Sequence, residues 1–525
     1  MNPDNNRKII APPDGLALGA FISIAGLVPW VLMQFQTALN TNHAWLTIAA
    51  LRLIGGGDMV TDAYETNPPL SILLYFPAAL LTNMGVPIYY APYLVGLLGL
   101  AASASLTLYL LRYWPDLSRA SVFVFVVAYV YASALIPDRL YFAERDVFVL
   151  WGLLPFAIAQ LLITRGISFP RWVSLVALPL CALFILIKPH YVAIPFLIFM
   201  HRIWAQRGLI KALKSQDVLA GCMAAAFYAM IIFFFFWDYV TVIFPDFLKF
   251  YISIKNPSII AFMLPAANVI TILCMVTPFL VIHNGIKKAI YALSGAALIG
   301  LVLYYFQGKG FVYHLVLAEI LVACACALFL YSLILTISGT KSHSHVLTIF
   351  LIISLGYLVF PINKRYLTHA EYAELTLPSL VRECGENCSF FMFSQNMEMV
   401  WQVSIYGGAV HASRFPGLWW LHSMVYRGYD PVDVDKYAGL IAEDLNRYQP
   451  AMLLIASNLT VDEGKFFDFI AFHSGNAAFR AALSHYRKVG LIKDDRGDYF
   501  RGSALEYSFP IHYDLYVRSS VSSIK

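Results

Sequence analysis

The sequence predicts a polytopic α-helical membrane protein that carries one soluble α/β domain at its C-terminal end. The chain of 525 residues is 60% hydrophobic and only 13% charged, whereas soluble proteins carry about 25% charged residues. Apolar stretches long enough for spanning helices recur up to residue 361, and charged residues and turn signals return after it. We therefore expect a transmembrane module over residues 1–361 and a soluble domain over residues 362–525.

About eleven apolar segments are candidate transmembrane helices, because a spanning helix needs roughly 20 mostly apolar residues. They run near residues 16–39, 89–111, 120–136, 147–163, 172–187, 190–204, 217–237, 257–282, 289–306, 315–337 and 346–361. The first is expected to remain uncleaved, since it is too long for a signal peptide and lacks a small-residue cleavage site. The formal charge of +5, without a basic arm interleaved with aromatic residues, gives no nucleic-acid signal.

Basic residues predict the orientation, because cytoplasmic loops are enriched in lysine and arginine. They mark the N-terminal segment and five loops that alternate with loops mostly poorer in such residues: Arg7 and Lys8; Arg112 and Arg119; Arg165 and Arg171; Arg202, Arg207, Lys211 and Lys214; Lys287 and Lys288; and Lys341. The alternation predicts a cytoplasmic N-terminus and an external C-terminal domain. It requires that the apolar segment 70–84 does not span, so we interpret that segment as an amphipathic juxtamembrane helix in the outer interface.

The C-terminal region combines strand and helix patterns. Segments SFFMFS and PAMLLIAS are predicted strands, and DVDKYAGLIAEDLNRY is a predicted helix. Among the seven cysteines, Cys384 and Cys388 are the two outside apolar segments. In a domain that faces an oxidising compartment this pair is interpreted as a disulfide, and the alternative is two unpaired surface thiols.

Candidate functional residues collect in four predicted external loops, where ionisable groups at the membrane face are costly to bury. The loops contribute Asp58, Asp62 and Glu65 in GGGDMVTDAYETNPPL; Asp138, Arg139, Glu144, Arg145 and Asp146 in PDRLYFAERD; Lys188 and His190 in KPH; and Lys309, Tyr313 and His314 in QGKGFVYH. A carboxylate can act as general base for an acceptor hydroxyl or amine, and cations can neutralise a leaving phosphate. Acids and bases on one side of the bilayer therefore indicate chemistry on a phosphate-linked substrate.

Each loop also has a purely structural interpretation. Asp58 and Asp62 would be turn residues or helix caps, and the triplet Glu144 to Asp146 would be a helix-end salt bridge. Lys188 would be a snorkelling lysine and His314 an interfacial anchor. Their shared side of the membrane favours the functional interpretation over these alternatives.

The segment GGGDMVTDAYETNPPL, followed by an interfacial helix, resembles the first external loop of the GT-C class of membrane glycosyltransferases. That class includes the protein O-mannosyltransferases and the bacterial lipid A aminoarabinose transferases. The ERD triplet ahead of a span resembles the second external acidic position of the class, and the KPH tip resembles its Lys-Gly-Pro tip. The resemblance covers roughly residues 16–320, and an external soluble domain is common in the class.

The resemblance implies a bacterial inner-membrane enzyme that moves a sugar from a polyprenyl-phosphate donor to a periplasmic glycan or lipid acceptor. Asp62 is then expected to be the general base, with Asp58 or Glu65 as its substitutes, and Asp146 to orient the acceptor or support a divalent cation. The donor phosphate would contact a larger polar set: Arg145, Lys188, His190, Lys309, Tyr313 and His314. The expected partners are the lipid bilayer, the donor and the acceptor, with no nucleotide sugar and no nucleic acid.

The sequence departs from the class in one respect. Its members often carry an acid just after the first span, whereas LNTNHAWLTIAALRLIGGG has Asn40, Asn42 and His43 there and no carboxylate. This favours, as one alternative, a catalytically inactive assembly partner. A second alternative is a transporter or flippase of a lipid-linked glycan, which predicts mid-span charges, broken helices and internal repeats.

Reporter fusions test the predicted orientation. A fusion at Lys341 is expected to report the cytoplasm because it lies in a basic loop, and a fusion at Gly439 is expected to report the periplasm. The measurement is the activity of compartment-specific reporters in intact cells. The reverse pattern would contradict the shared external side on which the four candidate loops depend.

Overall fold

A computed structural model of the protein describes residues 14–252, 257–281, 283–309, 311–338, 366–385, 388–394, 400–428, 430–457, 460–462, 465–495 and 512–520. The chain divides into two compact units. The helical unit comprises the described residues of Met1–Phe35, Gly96–Ala226 and Asn256–Arg365, and the sheet unit those of Gln36–Val95, Phe227–Lys255 and Tyr366–Lys525.

Long apolar helices dominate the first two thirds of the chain. They are Asp14–Gln36, Ala91–Leu111, Arg119–Leu135, Arg145–Thr164, Leu178–Leu186, Ala193–Gln206, Gln216–Phe235, Pro257–Leu280, Asn284–Gln307 and Val316–Ser338, with the short helices Asp138–Tyr141 and Leu209–Leu213 between them. Each predicted span up to residue 337 overlaps one of these helices, and the span predicted near 346–361 lies outside the described residues.

Five of the described helices are long and apolar enough to cross a membrane, and they support a membrane location. They are Ala91–Leu111, Arg145–Thr164, Gln216–Phe235, Asn284–Gln307 and Val316–Ile337. Shorter apolar stretches are Arg119–Leu135, Val173–Leu186 and, within the helix Pro257–Leu280, Leu264–Leu280. The predicted number of about eleven spans therefore stays a prediction.

Residues 70–84 form two short helices, Leu70–Leu73 and Phe76–Asn83, where the sequence analysis expected a single helix. The break arises because Pro77 has no amide hydrogen to continue the first helix but suits the opening turn of a second one. Neither helix has the roughly 20 residues that a membrane-spanning helix needs.

The sheet unit contains two sheets. Its strands are β1 (Ser389–Phe393), β2 (Val410–His411), β3 (Met452–Ala456), β4 (Thr460–Asp462), β5 (Lys465–Phe466), β6 (Tyr486–Lys493) and β7 (His512–Arg518). Five of them form a mixed sheet in the order β2-β1-β3-β7-β6, and β4 pairs with β5. Strand β1 is parallel to β2 and β3, whereas β7 is antiparallel to β3 and β6.

Short helices accompany the sheet. They are Thr41–Ile54, His369–Ala373, Thr376–Glu383, Val400–Gly407, Trp420–Arg427, Pro431–Tyr448, Phe469–His473 and Ala477–Leu483. The segment Phe227–Lys255 adds the helical turn Phe244–Asp246, which two π-helical turns, Tyr239–Ile243 and Phe247–Tyr251, enclose.

The predicted local elements of the C-terminal region are confirmed. SFFMFS forms β1, PAMLLIAS forms β3, and DVDKYAGLIAEDLNRY forms most of the helix Pro431–Tyr448. That helix begins where the side chain of Asp430 accepts a hydrogen bond from the amide of Val432. The expected boundary between residues 361 and 362 lies outside the described residues, so the division into two domains at that point stays a prediction.

Cys384 and Cys388 form a disulfide in the structure, and their Cα atoms are 5.7 Å apart. Peptide mass mapping of the full chain, purified without reductant, is expected to find these two residues linked to each other. Cys181 and Cys324 serve as internal controls, because they are buried free thiols among apolar helices. Alkylation of both Cys384 and Cys388 without prior reduction would contradict the bond and the oxidising location.

Candidate functional site

Three of the four predicted loops come together in the helical unit around an ion pair between Lys188 and Asp146. The Lys188 ammonium lies 2.5 Å from Asp146 Oδ2, and the Tyr191 hydroxyl donates to Asp146 Oδ1 at 3.0 Å. Asp146 is fully buried and Lys188 is 9% exposed. Each charge therefore depends on the other, because a buried charge that loses its partner destabilises a fold by about 3–5 kcal/mol.

A strained turn positions Asp146. Glu144 is the N-terminal cap residue of Arg145–Thr164, and Ala143 before it adopts a φ of 67°, which is uncommon for a residue other than glycine. Gly96 packs against this turn so closely that an added Cβ would lie 2.6 Å from the Cβ of Ala143. The turn places Asp146 in the first turn of the helix, where the helix dipole favours a negative charge.

The loop QGKGFVYH contributes aromatic and polar side chains to the same place. Lys188 Nζ lies 5.2 Å from the centroid of the Tyr313 ring, within the range of a cation–π interaction. The Tyr313 ring packs edge-on against His314, with centroids 4.6 Å apart. Gln307 Nε2 and His190 Nε2 are 3.0 Å apart, within hydrogen-bonding distance.

We call this group the basic cluster, and it contains all of the residues predicted to contact a donor phosphate: Arg145, Lys188, His190, Lys309, Tyr313 and His314. Arg145 Nε donates to Glu144 Oε1 at 3.1 Å, Lys188 pairs with Asp146, and Lys309 adds a third formal positive charge beside His190 and His314. The cluster therefore has an excess of positive charge, which suits an anionic ligand.

His314 contributes no positive charge at neutral pH. Its side chain is 5% exposed. Burial lowers the pKa of His314 well below its usual value, and the neighbouring charges, Lys188 and Lys309 foremost, lower it further. A neutral imidazole can donate one hydrogen bond to a phosphate oxygen. It adds no further positive charge to the buried part of the cluster, so it avoids the desolvation cost of such a charge.

The glycine-rich turn, residues 55–67, lies in the sheet unit and carries the other predicted acids. Gly56 adopts a φ of 90°. At Gly57 an added Cβ would lie 2.9 Å from the carbonyl oxygen of Arg52 and 3.0 Å from the Cβ of Asp62. Glycine is therefore required at both positions, at the first by backbone conformation and at the second by space.

Asp62 already accepts several hydrogen bonds. Its Oδ2 accepts from the amide of Asp58 at 3.1 Å and from the hydroxyl of Thr61 at 2.7 Å, and its Oδ1 pairs with Arg447 at 2.8 Å. Burial acts to raise the pKa of Asp62, but the hydrogen bonds from Thr61 and Asp58 and the charge of Arg447 outweigh it and lower the pKa. Asp62 is thus ionised at neutral pH, and Arg447 weakens it as a proton acceptor.

The two substitutes for Asp62 also have hydrogen-bond partners. Asp58 Oδ1 accepts two backbone amides of the turn, and its Oδ2 lies 2.6 Å from the Thr61 hydroxyl, whose single proton is shared between Asp58 and Asp62. Glu65 is 3% exposed and accepts from Trp45 Nε1 and from the amide of Asn67. The geometry of Asp58 is that of a turn residue, whereas Glu65 is a buried carboxylate. No contact of these residues decides the identity of the base, which stays a prediction.

Sequence reasoning did not find Arg52, which holds the glycine-rich turn to the sheet. Its guanidinium donates to the carbonyl oxygens of Asp62 at 2.7 Å, Ser413 at 2.6 Å and His411 at 3.1 Å, and lies 5.2 Å from the centroid of the Trp401 ring. A single arginine at the end of the amphipathic helix Thr41–Ile54 gives no sequence signal for this role, because its acceptors are backbone atoms of a distant segment.

Asp246 is a second residue that the sequence analysis missed. It accepts hydrogen bonds from the hydroxyls of Tyr64 at 2.5 Å and Tyr437 at 2.7 Å, and from Lys436 Nζ at 2.7 and 2.8 Å. The sequence did contain a signal, since Asp246 is an isolated carboxylate in the apolar run VIFPDFLKFY.

Arg202, one of the four residues taken to mark the third basic loop, lies in the helix Ala193–Gln206. It is fully buried and forms a two-pronged ion pair with Asp217, at 2.6 Å to Oδ1 and 2.7 Å to Oδ2. Two effects favour this pair. Asp217 stands in the first turn of Gln216–Phe235, where the helix dipole favours a negative charge, and the planar guanidinium of arginine can donate two parallel hydrogen bonds to a carboxylate.

Among the described residues, no group of three or more His, Cys, Asp or Glu side chains could hold a metal ion. Both oxygens of Asp146 accept hydrogen bonds, from Lys188 and Tyr191. These contacts make Asp146 a positioning residue for Lys188. Its predicted role in orienting an acceptor or supporting a divalent cation stays a prediction.

Comparison with known proteins finds similarity to solved structures. No family model and no curated protein matches this chain. The chain is similar to the crystal structure of ArnT from Cupriavidus metallidurans in the apo state, with 12% identity and a TM-score of 0.38, over 95% of this chain and 98% of that one. ArnT is a lipid A aminoarabinose transferase, a GT-C glycosyltransferase. At this identity and TM-score the likeness assigns neither an activity nor a site residue to this chain.

Substitution of His314 by Gln tests its protonation state. His314 is neutral in the fold, whereas in the unfolded chain it takes up a proton near a pKa of about 6.5. Below that pH the unfolded state binds more protons, so the free energy of unfolding falls by up to about 1.4 kcal/mol per pH unit. Thermal unfolding at pH 7.5 and 5.5 is expected to show a larger fall in midpoint for the native protein than for His314→Gln. Equal falls would mean that His314 carries a proton in the fold.

Proposed function

We propose that this chain is a membrane glycosyltransferase that transfers a sugar from a polyprenyl-phosphate donor to a glycan or lipid acceptor on the periplasmic side. The basic cluster supports this proposal most directly. It gathers Arg145, Lys188 and Lys309 with a neutral His314, in a unit built from helices apolar enough to cross a membrane. A lipid-linked phosphate needs both features, cations for its phosphate and an apolar environment for its chain.

The chemistry required of the cluster is electrostatic. During transfer the acceptor oxygen forms a bond to the sugar C1 and gives up its proton to the carboxylate base. The bond between C1 and the phosphate oxygen breaks, and polyprenyl phosphate leaves with the bonding electrons. Lys188 and Lys309 stabilise the negative charge that grows on the phosphate, most strongly where water is largely excluded. Asp146 and Tyr191 hold Lys188 before the reaction begins, so little reorganisation is needed as the charge develops.

In this proposal a carboxylate of the glycine-rich turn activates the acceptor. Asp62 is ionised and therefore able to receive a proton from an acceptor hydroxyl, but that hydroxyl has to compete with Arg447 for Oδ1. The effects of removing Asp62 and of removing Arg447 therefore show whether Asp62 is a general base or a structural residue. If Asp62 is the base, its carboxylate is essential and Arg447 is dispensable. If Asp62 only anchors the turn, the two residues are equally important.

A transfer assay tests the proposal. Mass spectrometry of envelope glycans and lipids from a deletion strain is expected to show an acceptor that lacks one sugar. Purified full-length protein, incubated with that acceptor and polyprenyl-phosphate sugars, is expected to restore the missing mass. A transporter or an inactive assembly partner would produce no transfer in detergent solution. Absence of transfer would overturn the proposed activity.

Two variants assign the acceptor base in the same assay. Asp62→Asn is expected to lower the rate by about 10²–10⁴-fold, the usual loss for a general base. Arg447→Ala is the matched control, because it breaks the same ion pair, leaves the carboxylate in place and is expected to retain most activity. Equal losses with equal falls in unfolding midpoint would make Asp62 an anchor. An inactive Asp58→Asn or Glu65→Gln beside an active Asp62→Asn would place the base elsewhere in the turn.

A further inference from the structure

We propose that the helical unit binds an anionic phospholipid of the cytoplasmic leaflet, with an acyl chain in an apolar cavity and its phosphate at Arg165 and Lys288. This site is separate from the basic cluster and does not depend on the proposed activity. The cavity, its charged rim and the predicted orientation of that rim each contribute to the inference.

The cavity has a volume of about 270 Å³ and lies among six helices. One residue from each helix illustrates its lining: Leu111, Phe125, Leu154, Ile194, Ala292 and Leu321. Leu197 and Tyr291, which also line it, are 47% and 44% exposed, so the cavity opens to the surface of the unit. An open, almost wholly apolar cavity near the small end of ligand pockets suits part of a hydrocarbon chain better than a polar substrate.

A charged rim adjoins the cavity. Trp114 and Leu117 line the cavity from the turn that follows Ala91–Leu111, and the Arg165 guanidinium lies 4.4 Å from the centroid of the Trp114 ring. Arg165 Nη1 and Lys288 Nζ each lie 3.2 Å from Asp116 Oδ2. The next residue after Lys288 lines the cavity as well. Two cations thus stand beside the apolar opening and share a single carboxylate oxygen.

Tight packing fixes the geometry of this rim. Gly285, in the first turn of Asn284–Gln307, lies so close to the rim that an added Cβ would be 1.9 Å from the carbonyl oxygen of Asp116. The ion pairs themselves are weak, because their side chains are 30% to 57% exposed and such pairs contribute about 0–1 kcal/mol. A phosphate can therefore take the place of Asp116 beside Arg165 and Lys288.

The predicted topology selects the ligand. Arg165, at the end of Arg145–Thr164, and Lys288, near the start of Asn284–Gln307, belong to two basic segments that the distribution of basic residues predicts on the cytoplasmic side. Anionic lipid headgroups attract lysine and arginine at that surface. An anionic phospholipid satisfies both parts of the site at once, since part of one acyl chain fills the apolar cavity and its phosphate meets the rim.

A cavity-filling variant tests the acyl-chain part. Gly295 lines the cavity and a Cβ there meets no atom within 4 Å, so Gly295→Leu fills the space and favours the helix. Gly221→Leu is the matched control, since Gly221 also lies in a helix with open space at its Cβ but does not line this cavity. Native mass spectrometry of full-length protein with added phosphatidylglycerol is expected to show a lipid adduct for the native chain and Gly221→Leu, and its loss in Gly295→Leu.

Equal adducts in the two glycine variants would overturn the cavity assignment. If Gly295→Leu fails to fold, as judged by its unfolding midpoint, Ala292→Phe fills the same cavity from the same helix and provides the test.

Charge variants test the headgroup part. Lys288→Ala is expected to lower the phosphatidylglycerol adduct about fivefold, and to leave a phosphatidylcholine adduct with the same acyl chains unchanged. Asp116→Asn is expected to increase the phosphatidylglycerol adduct, because it removes the carboxylate that competes with the phosphate. Lys214→Ala, which removes an exposed lysine outside the cavity lining, is the control. Equal binding of the two lipids by the native chain, or an unchanged adduct in Lys288→Ala, would overturn the assignment of an anionic lipid.

Discussion

The ion pair between Lys188 and Asp146 is the interaction on which the functional part of the helical unit depends. It brings the KPH tip to the first turn of Arg145–Thr164, and the aromatic ring of Tyr313 packs over the same ammonium. Neither charge is stable in this place alone. Because both partners are buried, the pair specifies how three loops from distant parts of the sequence meet.

In the sheet unit, too, polar side chains determine local structure, because they hold irregular backbone segments in place. Arg52 donates to three carbonyl oxygens, and Asp246 accepts from two tyrosines and a lysine. Irregular segments leave backbone groups that secondary structure does not satisfy, and such groups need partners when they are buried. The glycine-rich turn is therefore held by side chains from other elements as much as by its own glycines.

The sequence predicted the local elements well and the long-range contacts only in part. Apolar runs predicted the positions of the described helices, and alternation and turn signals predicted β1, β3 and Pro431–Tyr448, because these patterns depend on neighbours in the chain. The break inside residues 70–84 was missed, although Pro77 offered a signal.

The candidate site was predictable to a similar degree. Assigning the ionisable loop residues to one side of the membrane identified the members of the basic cluster. It did not pair Lys188 with Asp146, because a separation of 42 residues along the chain carries no information about contact. For Asp62 the partner Arg447 is still further away along the chain. Contacts of this kind depend on the assembled fold and have no signature in a single sequence.

The two π-helical turns around Asp246 make the spacing of that segment sensitive to chain length. A π-turn holds one residue more than an α-turn, and Tyr239–Ile243 and Phe247–Tyr251 stand on either side of the carboxylate. Loss of one residue from the first turn would restore a regular helix and rotate everything after it by about 100°. Asp246 would then turn away from Tyr64 and Tyr437. After a single-residue deletion in this segment the helix is therefore expected to form, but the three hydrogen bonds to the carboxylate are expected to be lost. Related chains should therefore vary here by substitution rather than by length.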